Sequence, residues 1–428
     1  MTDHGDTEDA DVPSRAERRA EAIDVLDANR RDGYTIPSST LYPFQWNWDS
    51  AFIAIGLAGV DPDAAKVEVE TLLSATWPNG MLPQIVFWAD AEGYFPGPAE
   101  WDAGFDDVET SGISQPPVVA TAARHVYEVT GDDDFRDRVL DPLDDHLSWW
   151  RRERSADGVV YTRHPWETGM DDSPAWRGPL ERFDPGPVEY ERADRKSAEL
   201  ADQRPTDWDY DRYVALLQQG RAVGWDESAL RDCCPFRVED VLTNSIYVRA
   251  CEDLAALYAS AGDDAAAATW RDQAAATRAV MRDRLWSDEL GLFVSYDRVA
   301  DEPLLERTVA GLVPVLGGVP TTAQFERLSE TLTTEFFDLA YAVPTYVGDD
   351  FDPDRYWRGP VWMNTNWLLE RGLRRYDATD AADRVRADSL ALLDREGFRE
   401  YFNPRSGEGR GSDDFAWSAA LYLEWTTV

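Results

Sequence analysis

The sequence predicts an all-α protein built as a ring of paired helices, with long loops over one mouth of the ring. Apolar residues recur at helical spacing along the 428-residue chain, and few stretches alternate as strands do. A turn rich in glycine and aspartate recurs between helices, at residues 58–63, 130–133, 261–264 and 376–380. Repeated helix hairpins favour a closed ring or a solenoid. Long tryptophan-rich segments separate the hairpins, and this alternation fits the ring better.

The individual helices have start and stop signals. The first predicted helix begins at the capping box of residues 14–17 and ends near Gly33. Another follows a pair of prolines at positions 116 and 117 and ends at Gly131, and a third runs from about Val241 to Gly262. In the hairpin turns we expect glycine to end one helix in the left-handed conformation and aspartate to cap the next. The best candidate for a strand is residues 292–296.

The chain is predicted to form one domain from residue 13 to residue 428, preceded by twelve acidic, disordered residues. A lid insertion is expected at about residues 174–212, because this segment contains five prolines and many charges. A disordered linker is the alternative. Five aromatic residues favour the ordered lid: Trp176, Phe183, Tyr190, Trp208 and Tyr210.

The charge excludes several classes of partner. With 82 acidic against 42 basic residues the net charge is −40, so nucleic acid and anionic membranes would be repelled. An acidic surface with lysine only at Lys66 and Lys196 suggests a salt-adapted protein. Aromatic residues are too frequent for a disordered acidic chain. No apolar run reaches the length of a membrane span and the N-terminus is acidic, so we predict a soluble, cytoplasmic protein.

Cysteine and histidine indicate no transition metal and no cofactor. The three cysteines form neither a disulfide framework nor a zinc pattern, and the four histidines are scattered. Calcium stays open, because acidic loops such as the one containing Asp413 and Asp414 could bind it, although they are not an EF-hand.

Three segments combine aromatic residues with carboxylates, as a sugar site requires: residues 42–52, 164–174 and 400–417. Sugar rings stack on indoles, and sugar hydroxyls bond to carboxylates. The first segment could instead be a capped helix start, and the second an acidic surface turn. In the second, Glu167, Asp171 and Asp172 crowd together, and their repulsion would raise at least one pKa, as a general acid needs. The third contains a glycine-rich loop that lacks the form of a phosphate-binding loop.

These segments resemble motifs of glycoside hydrolase family 63 and the related trehalases. Residues 47–50, NWDS, resemble their WDS element, and residues 167–171, ETGMD, resemble their ESGWD element. Residues 356–364 match the family's YWRGPxWxxxN segment, and residues 114–117 match its SQPP helix start. Glu400 and the tyrosine after it correspond to the trehalase EKY element. The motifs follow in the family's order from residue 42 to residue 417.

The resemblance implies an (α/α)6 barrel and hydrolysis of an α-glycoside with inversion. Asp171 would be the general acid and Glu400 the general base, with the two carboxyl groups roughly 6.5–9.5 Å apart to leave room for water. Asp172 is a rival for the acid and Glu408 for the base. Further substrate-binding residues are expected at Trp48, Asp49, Gln115, Glu167, Trp357 and Glu408. Met170 stands where trehalases have tryptophan, which argues against a plain trehalase.

The predicted substrate is a small glycoside, with glucosylglycerate or mannosylglycerate preferred. Residues 204–210 look like a lid element of the glycosylglycerate hydrolases, in which an arginine and tyrosines hold the glycerate. By that resemblance Arg204 would pair with the carboxylate, and Tyr210 and Tyr356 would add hydrogen bonds. The alternative is an arginine that balances nearby acids. Other functions left open are a broader α-glucosidase, trehalase or debranching activity, and a carbohydrate-binding protein without catalysis. The sequence does not indicate the oligomeric state.

Overall fold

Helices dominate the computed structural model, which describes residues 13–192 and 202–427. The predicted disorder of residues 1–12 lies outside the described residues. The α-helices are α1 Arg15–Asn29, α2 Asn47–Ala58, α3 Pro62–Ser74, α4 Pro98–Trp101, α5 Val119–Thr130, α6 Asp133–Glu153, α7 Arg177–Glu181, α8 Asp207–Ala222, α9 Glu227–Cys233, α10 Val241–Ser260, α11 Asp264–Arg284, α12 Thr322–Thr331, α13 Met363–Arg375, α14 Thr379–Glu396 and α15 Ala416–Thr426. Short 3-10 helices cover Pro165–Thr168, Pro174–Trp176, Val309–Gly311 and Val313–Val315, and a π-helical turn covers Leu332–Phe336.

The strands are two residues long and pair in antiparallel fashion in the loops. They are β1 Gln45–Trp46, β2 Ile85–Val86, β3 Gly104–Phe105, β4 Val108–Glu109, β5 Ser155–Ala156, β6 Val159–Val160, β7 Val238–Glu239, β8 Trp286–Ser287, β9 Leu292–Phe293, β10 Tyr296–Asp297, β11 Glu302–Pro303, β12 Tyr401–Phe402 and β13 Gly409–Arg410. The predicted strand at 292–296 is confirmed only in part, because it is interrupted after Phe293. Its first part, β9, pairs with β8, while β10 pairs with β7 and β11.

An inner ring of six segments forms the barrel wall. In order around the ring these segments are α2, α5, α10, the pair of 3-10 helices at 309–315, α13 and α15. The last segment, α15, packs against the first, so the ring is closed. Each inner segment is preceded along the chain by an outer helix, respectively α1, α3, α6, α11, α12 and α14. Six helix hairpins therefore form the predicted (α/α)6 barrel, with the fourth inner helix replaced by short 3-10 helices.

Burial distinguishes the two rings. Every residue of α2 is buried, whereas the outer helix α14 buries one stripe. Because α2 touches neighbours on both sides and the outer ring behind it, it has no polar face. The ring closes tightly at Gly56, where a Cβ atom would lie 2.1 Å from the carbonyl oxygen of Ala420.

The four hairpin turns join two helices each, as predicted. Gly131 and Gly262 have φ of +61° and +82°, the left-handed conformation expected at a helix end. The prediction is wrong at Gly59, which is right-handed, and at the fourth turn, where Asp377 has φ +57°. Aspartate caps the next helix in the first three turns, but α14 has no side-chain cap. The first helix follows its predicted capping box and ends at Asn29, earlier than expected.

The hairpin order fixes where the long loops lie. Because each inner helix follows an antiparallel outer one, the N-terminal ends of the inner helices meet at one mouth of the barrel. The sugar-site motifs around residues 47, 115, 357 and 400 lie at or just before these ends. Of residues 174–212, the described ones form a 3-10 turn, α7 and the start of α8. No helix in residues 13–192 and 202–427 is long and apolar enough to cross a membrane.

Candidate active site

A cavity opens at the loop-covered mouth, and aromatic side chains with a few polar groups line it, as is typical of small-ligand sites. Most of the residues singled out in the sequence line it: Trp48, Asp49, Gln115, Asp171, Arg204, Tyr210, Tyr356, Trp357 and Glu400. The structure does not bring Glu167 or Glu408 to this lining. Residues that sequence reasoning did not select complete the wall, chiefly Tyr42, Trp46, Gln84, Trp166, Trp362 and Trp417.

The first turn of α2 carries Trp48 and Asp49 into the cavity wall. The backbone N–H of Trp48 donates to Oε1 of Gln115 at 3.1 Å, which ties this turn to the start of α5. Asp49 is buried, and burial raises the pKa of its carboxyl well above the usual range, with the charge of Glu400 adding to the effect. This carboxyl can therefore accept or donate a hydrogen bond toward a ligand hydroxyl.

The loop of Asp171 is held close to the aromatic wall. The 3-10 helix Pro165–Thr168 ends at Gly169, which has φ +74°. A Cβ atom there would lie 2.3 Å from the indole of Trp48, so only glycine permits this approach. Burial raises the pKa of Asp171 well above its usual range, and the neighbouring carboxylate of Asp172 raises it further. A carboxyl of raised pKa is suited to general acid catalysis.

Asp172, the rival for the acid, is outside the cavity lining. Its oxygens accept hydrogen bonds from Arg355 and Arg358 at 3.1 Å. Burial raises its pKa to about 6, against the lowering effect of the two arginines. Both guanidinium groups also face Asp209 of α8. This geometry favours Asp171 as the group that can reach a substrate.

Glu167 does not contact the cavity, which corrects its expected role as a direct substrate ligand. It is fully buried, and Arg154 donates to both its oxygens at 2.8 and 2.9 Å. The backbone N–H of Arg163 also donates to it, at 2.6 Å. Because Ser114 N–H reaches Glu167 as well, at 3.4 Å, this carboxylate joins the Asp171 loop to the segment before α5. Glu167 therefore holds these two segments together without contacting the cavity.

Glu400 lies just before β12, lines the same cavity and is 1% exposed. Its Oε2 accepts from Nη2 of Arg204 at 2.7 Å and from the backbone N–H of Ser412 at 3.0 Å. Its Oε1 accepts from the hydroxyl of Tyr42 at 2.8 Å. Arg204, expected to meet a glycerate, is thus paired with the expected base.

Two tyrosines enclose the guanidinium of Arg204. Its Cζ atom lies 4.6 Å from the ring centre of Tyr356 and 5.8 Å from that of Tyr42. The hydroxyls of the two tyrosines are 3.2 Å apart. Tyr356 has φ +32°, a costly conformation for an aromatic residue and one that tends to occur at functional sites. Tyr42 stands first in the aromatic and acidic segment 42–52, so its position in that segment was the available signal.

Glu408 is exposed and outside the cavity, which corrects its expected contact with the substrate. It forms an ion pair with Arg410, and a hydrogen bond from that arginine lowers the pKa of its carboxyl. The hairpin of β12 and β13 turns this side chain away from Glu400. Asp413, part of the possible calcium loop, pairs with Arg399. Within the described ranges no group of three or more His, Cys, Asp or Glu residues is placed to hold a metal.

Indoles form the floor of the cavity. Trp357 and Trp362 stack with ring centres 3.9 Å apart, and Trp417 meets Trp48 edge-on at 5.5 Å. Several buried polar atoms of the lining have no partner among the described residues: Nε1 of Trp46, Trp357 and Trp417, Oε1 of Gln84 and Nε of Arg204. Buried polar groups without partners are rare in proteins. Aromatic faces with open hydrogen-bonding atoms between them suit a polyhydroxylated ligand.

Comparison with known proteins gives consistent matches over nearly the whole chain. A family model described as the mannosylglycerate hydrolase MGH1-like glycoside hydrolase domain matches residues 42–418. The mannosylglycerate hydrolase of Thermus thermophilus is 42% identical, over 95% of this chain and 99% of that protein. The glucosylglycerate hydrolase of Mycolicibacterium hassiacum is 36% identical, over 95% of this chain and 97% of that protein.

A solved structure is equally similar. The crystal structure of a family 63 mannosylglycerate hydrolase from Thermus thermophilus, in complex with Tris and D-glycerate, superposes with a TM-score of 0.90 and 41% identity. The match covers 96% of this chain and 100% of that one.

Proposed function

The chain belongs to the mannosylglycerate hydrolase MGH1-like glycoside hydrolases of family 63, and we propose that it hydrolyses mannosylglycerate or glucosylglycerate with inversion. The observation that carries the proposal is that a carboxyl of raised pKa, Asp171, lines the same cavity as Glu400, which is paired with Arg204. A site of this kind offers an acid, a base and a cation for an acidic aglycone.

In the proposed reaction Asp171 gives its proton to the glycosidic oxygen. The bond from this oxygen to the anomeric carbon breaks, its electron pair stays on the oxygen, and glycerate leaves. A water molecule on the opposite face of the sugar bonds to the anomeric carbon, while Glu400 takes its proton. Inversion follows because the water attacks from the side opposite the leaving group.

The cleaved sugar is proposed to lie among Trp48, Asp49, Gln115 and Trp357. Trp48 and Trp357 provide apolar faces with centres 6.2 Å apart. Asp49 and Gln115 provide oxygens beside them for the sugar hydroxyls. The glycerate is proposed to meet Arg204, Tyr210 and Tyr356, since these line the same cavity and include its arginine.

We also propose that residues 174–212 act as a lid segment. Within this segment Arg204, Pro205 and Tyr210 line the cavity, and Arg204 is joined to the barrel through Glu400. A lid that carries a substrate-binding arginine would exclude water when the substrate is bound.

The decisive experiment presents the purified enzyme with mannosylglycerate, glucosylglycerate, trehalose, maltose and short α-glucans, in low and high salt. We expect a glycosylglycerate to release sugar and glycerate. Proton NMR should first detect the sugar anomer whose configuration is opposite to that of the substrate. Release of sugar from trehalose or maltose but never from a glycosylglycerate would contradict the substrate and favour the broader α-glucosidase. Binding of sugars without any turnover would indicate a carbohydrate-binding protein. Location in the cytoplasm and adaptation to salt stay predictions, and the second is tested below.

A further inference from the structure

Glu400 is saturated with hydrogen-bond donors. Its Oε1 accepts from the Tyr42 hydroxyl at 2.8 Å and from Nη1 of Arg204 at 3.4 Å. Its Oε2 accepts from Nη2 of Arg204 at 2.7 Å and from the backbone N–H of Ser412 at 3.0 Å. A carboxylate offers about four lone-pair sites in its plane. All four are therefore used, and a general base needs one of them to take the proton of water.

The four donors differ in how easily they can leave. The Ser412 N–H is fixed, because the N–H of Glu400 donates in return to the Ser412 carbonyl at 3.0 Å. Tyr42 is held by ring contacts with Trp46 and Phe415. Arg204 lies instead in the lid segment before α8, outside the barrel wall. Its guanidinium is held by side chains, because Nη1 donates to the Tyr42 hydroxyl at 2.7 Å and the rings of Tyr42 and Tyr356 enclose it.

Arg204 also has one open donor. Its Nε is buried and has no partner within the described parts of the chain. Arginine binds a carboxylate with two parallel N–H groups, and Nε with Nη2 is one such pair. Nη2 is the group that now donates to Oε2 of Glu400. Because Nη2 carries two N–H groups, a carboxylate docked on this edge would satisfy the orphan Nε and take the second N–H of Nη2. Its negative charge would then weaken the attraction between the guanidinium and Glu400.

We infer that Arg204 restrains Glu400 until the carboxylate of the substrate docks on its Nε and Nη2, and that the negative charge of this carboxylate weakens the ion pair and lets Oε2 act as the base. The inference rests on the proposed function and deepens it, because it makes Arg204 a specificity-determining residue. An uncharged aglycone leaves Glu400 restrained. A negatively charged aglycone shares the guanidinium with Glu400, weakens that ion pair and activates the enzyme. The enzyme then selects charged aglycones through its turnover rate as well as through its affinity.

A glycosyl fluoride used as the substrate separates the docking of the carboxylate from the hydrolysis. Its aglycone is a single atom, so it reacts with the aglycone subsite empty. Water bonds to the anomeric carbon, the carbon–fluorine bond breaks to release fluoride, and Glu400 takes the proton of water. We expect added D-glycerate to accelerate hydrolysis of α-mannosyl or α-glucosyl fluoride in a saturable way, by roughly tenfold or more. Inhibition by glycerate, or no effect, would overturn the inference.

Acceleration could also arise if glycerate only closed the lid segment, and Arg204→Met separates the two causes. If Arg204 restrains the base, this variant should hydrolyse the fluoride faster than wild type without glycerate, and glycerate should no longer change the rate. If Arg204 serves only to bind glycerate and close the lid segment, the variant should hydrolyse the fluoride no faster than wild type. That result would contradict the inference. Arg177→Met is the matched control, because Arg177 is exposed in the same segment and pairs with Glu181. It should behave as wild type.

Failure of the inference is distinct from failure of the proposed function. If wild type cleaves a glycosylglycerate but glycerate leaves the fluoride rate unchanged, the function stands and the restraint is wrong. If no glycosylglycerate is cleaved, the proposed function fails, and the restraint is judged from the fluoride rates of wild type and Arg204→Met alone.

Discussion

The hydroxyl of Tyr213 donates a 2.6 Å hydrogen bond to the backbone carbonyl oxygen of Asp171. Tyr213 lies on α8, the helix that follows Arg204, and its own carbonyl bonds to Nε2 of His164 at 2.9 Å. Burial lowers the pKa of His164 to about 4, so this ring stays neutral and can donate from Nε2. One stretch of chain therefore touches both proposed catalytic residues, the base through Arg204 and the acid through Tyr213.

Replacing Tyr213 by phenylalanine removes this hydrogen bond and keeps the ring. We expect kcat on the glycosylglycerate to fall about tenfold with little change in KM, because a small displacement of the acid affects the transition state more than binding. Tyr376→Phe is the control, since Tyr376 donates to the carbonyl of Pro320 at 2.8 Å, at a distance from the cavity. Equal losses in both variants would show that the Tyr213 hydroxyl has only a general structural role.

Asp171→Asn and Glu400→Gln should each reduce kcat by about 10²–10⁴-fold, the usual contribution of a general acid or base. Steady-state kinetics on the glycosylglycerate measure this. A substrate with a good leaving group should restore activity to Asp171→Asn only, because its departure needs no proton. Glu408→Gln should stay near wild type, since Glu408 is exposed and paired with Arg410. Near-normal rates in the first two variants would refute our assignment.

The pH profile should report the carboxyl of Asp171. The acid must be protonated, so kcat/KM should decline as pH rises through its raised pKa. Asp172→Asn removes the adjacent negative charge and leaves Arg355 and Arg358 in place. The pKa of Asp171 should then fall, and the alkaline limb should move to lower pH. Thermal unfolding checks that the variant is folded, and an unmoved limb in a folded variant would contradict the coupling.

Glu68 predicts how stability depends on pH. It is buried beneath Ser50 of α2, and burial raises its pKa to about 7 from 4.5. Because the folded state holds this proton more tightly than the unfolded one, the stability it contributes is present below pH 4.5 and is lost as pH rises through 7. The loss is on the order of 3 kcal/mol. Urea unfolding of Glu68→Gln should show a flatter pH dependence between these values, and an unchanged slope would refute the assignment.

Salt should stabilise the protein. The net charge is −40, so the excess carboxylates repel one another in the folded state, and salt screens that repulsion. We expect the unfolding temperature at pH 7 to rise steadily with KCl up to molar concentrations. At pH 5 fewer carboxylates are ionised, so the rise should be smaller. A larger effect at pH 5 than at pH 7 would exclude charge screening as the cause.

Helix starts and hairpin caps could be predicted from the sequence, because neighbouring residues determine them. The capping box of Ser14 starts α1, and three of the four hairpin turns have their aspartate cap where expected. The fourth inner segment was not predictable, because its 3-10 helices depend on packing inside the ring. Glu167 was misjudged for a similar reason. Its motif resembles a substrate site, but its partner Arg154 comes from the end of α6, and the sequence gives no sign of that contact.

Closure of the ring at Gly56 and Ala420 joins the beginning of the chain to its end. Asp49 lies in the first inner helix and Glu400 just before the last, so the proposed site is incomplete until the final helix has docked. Contacts so distant in sequence also form late in folding, since their loop entropy is lost before they stabilise anything. The barrel thus makes hydrolytic competence depend on the docking of α15.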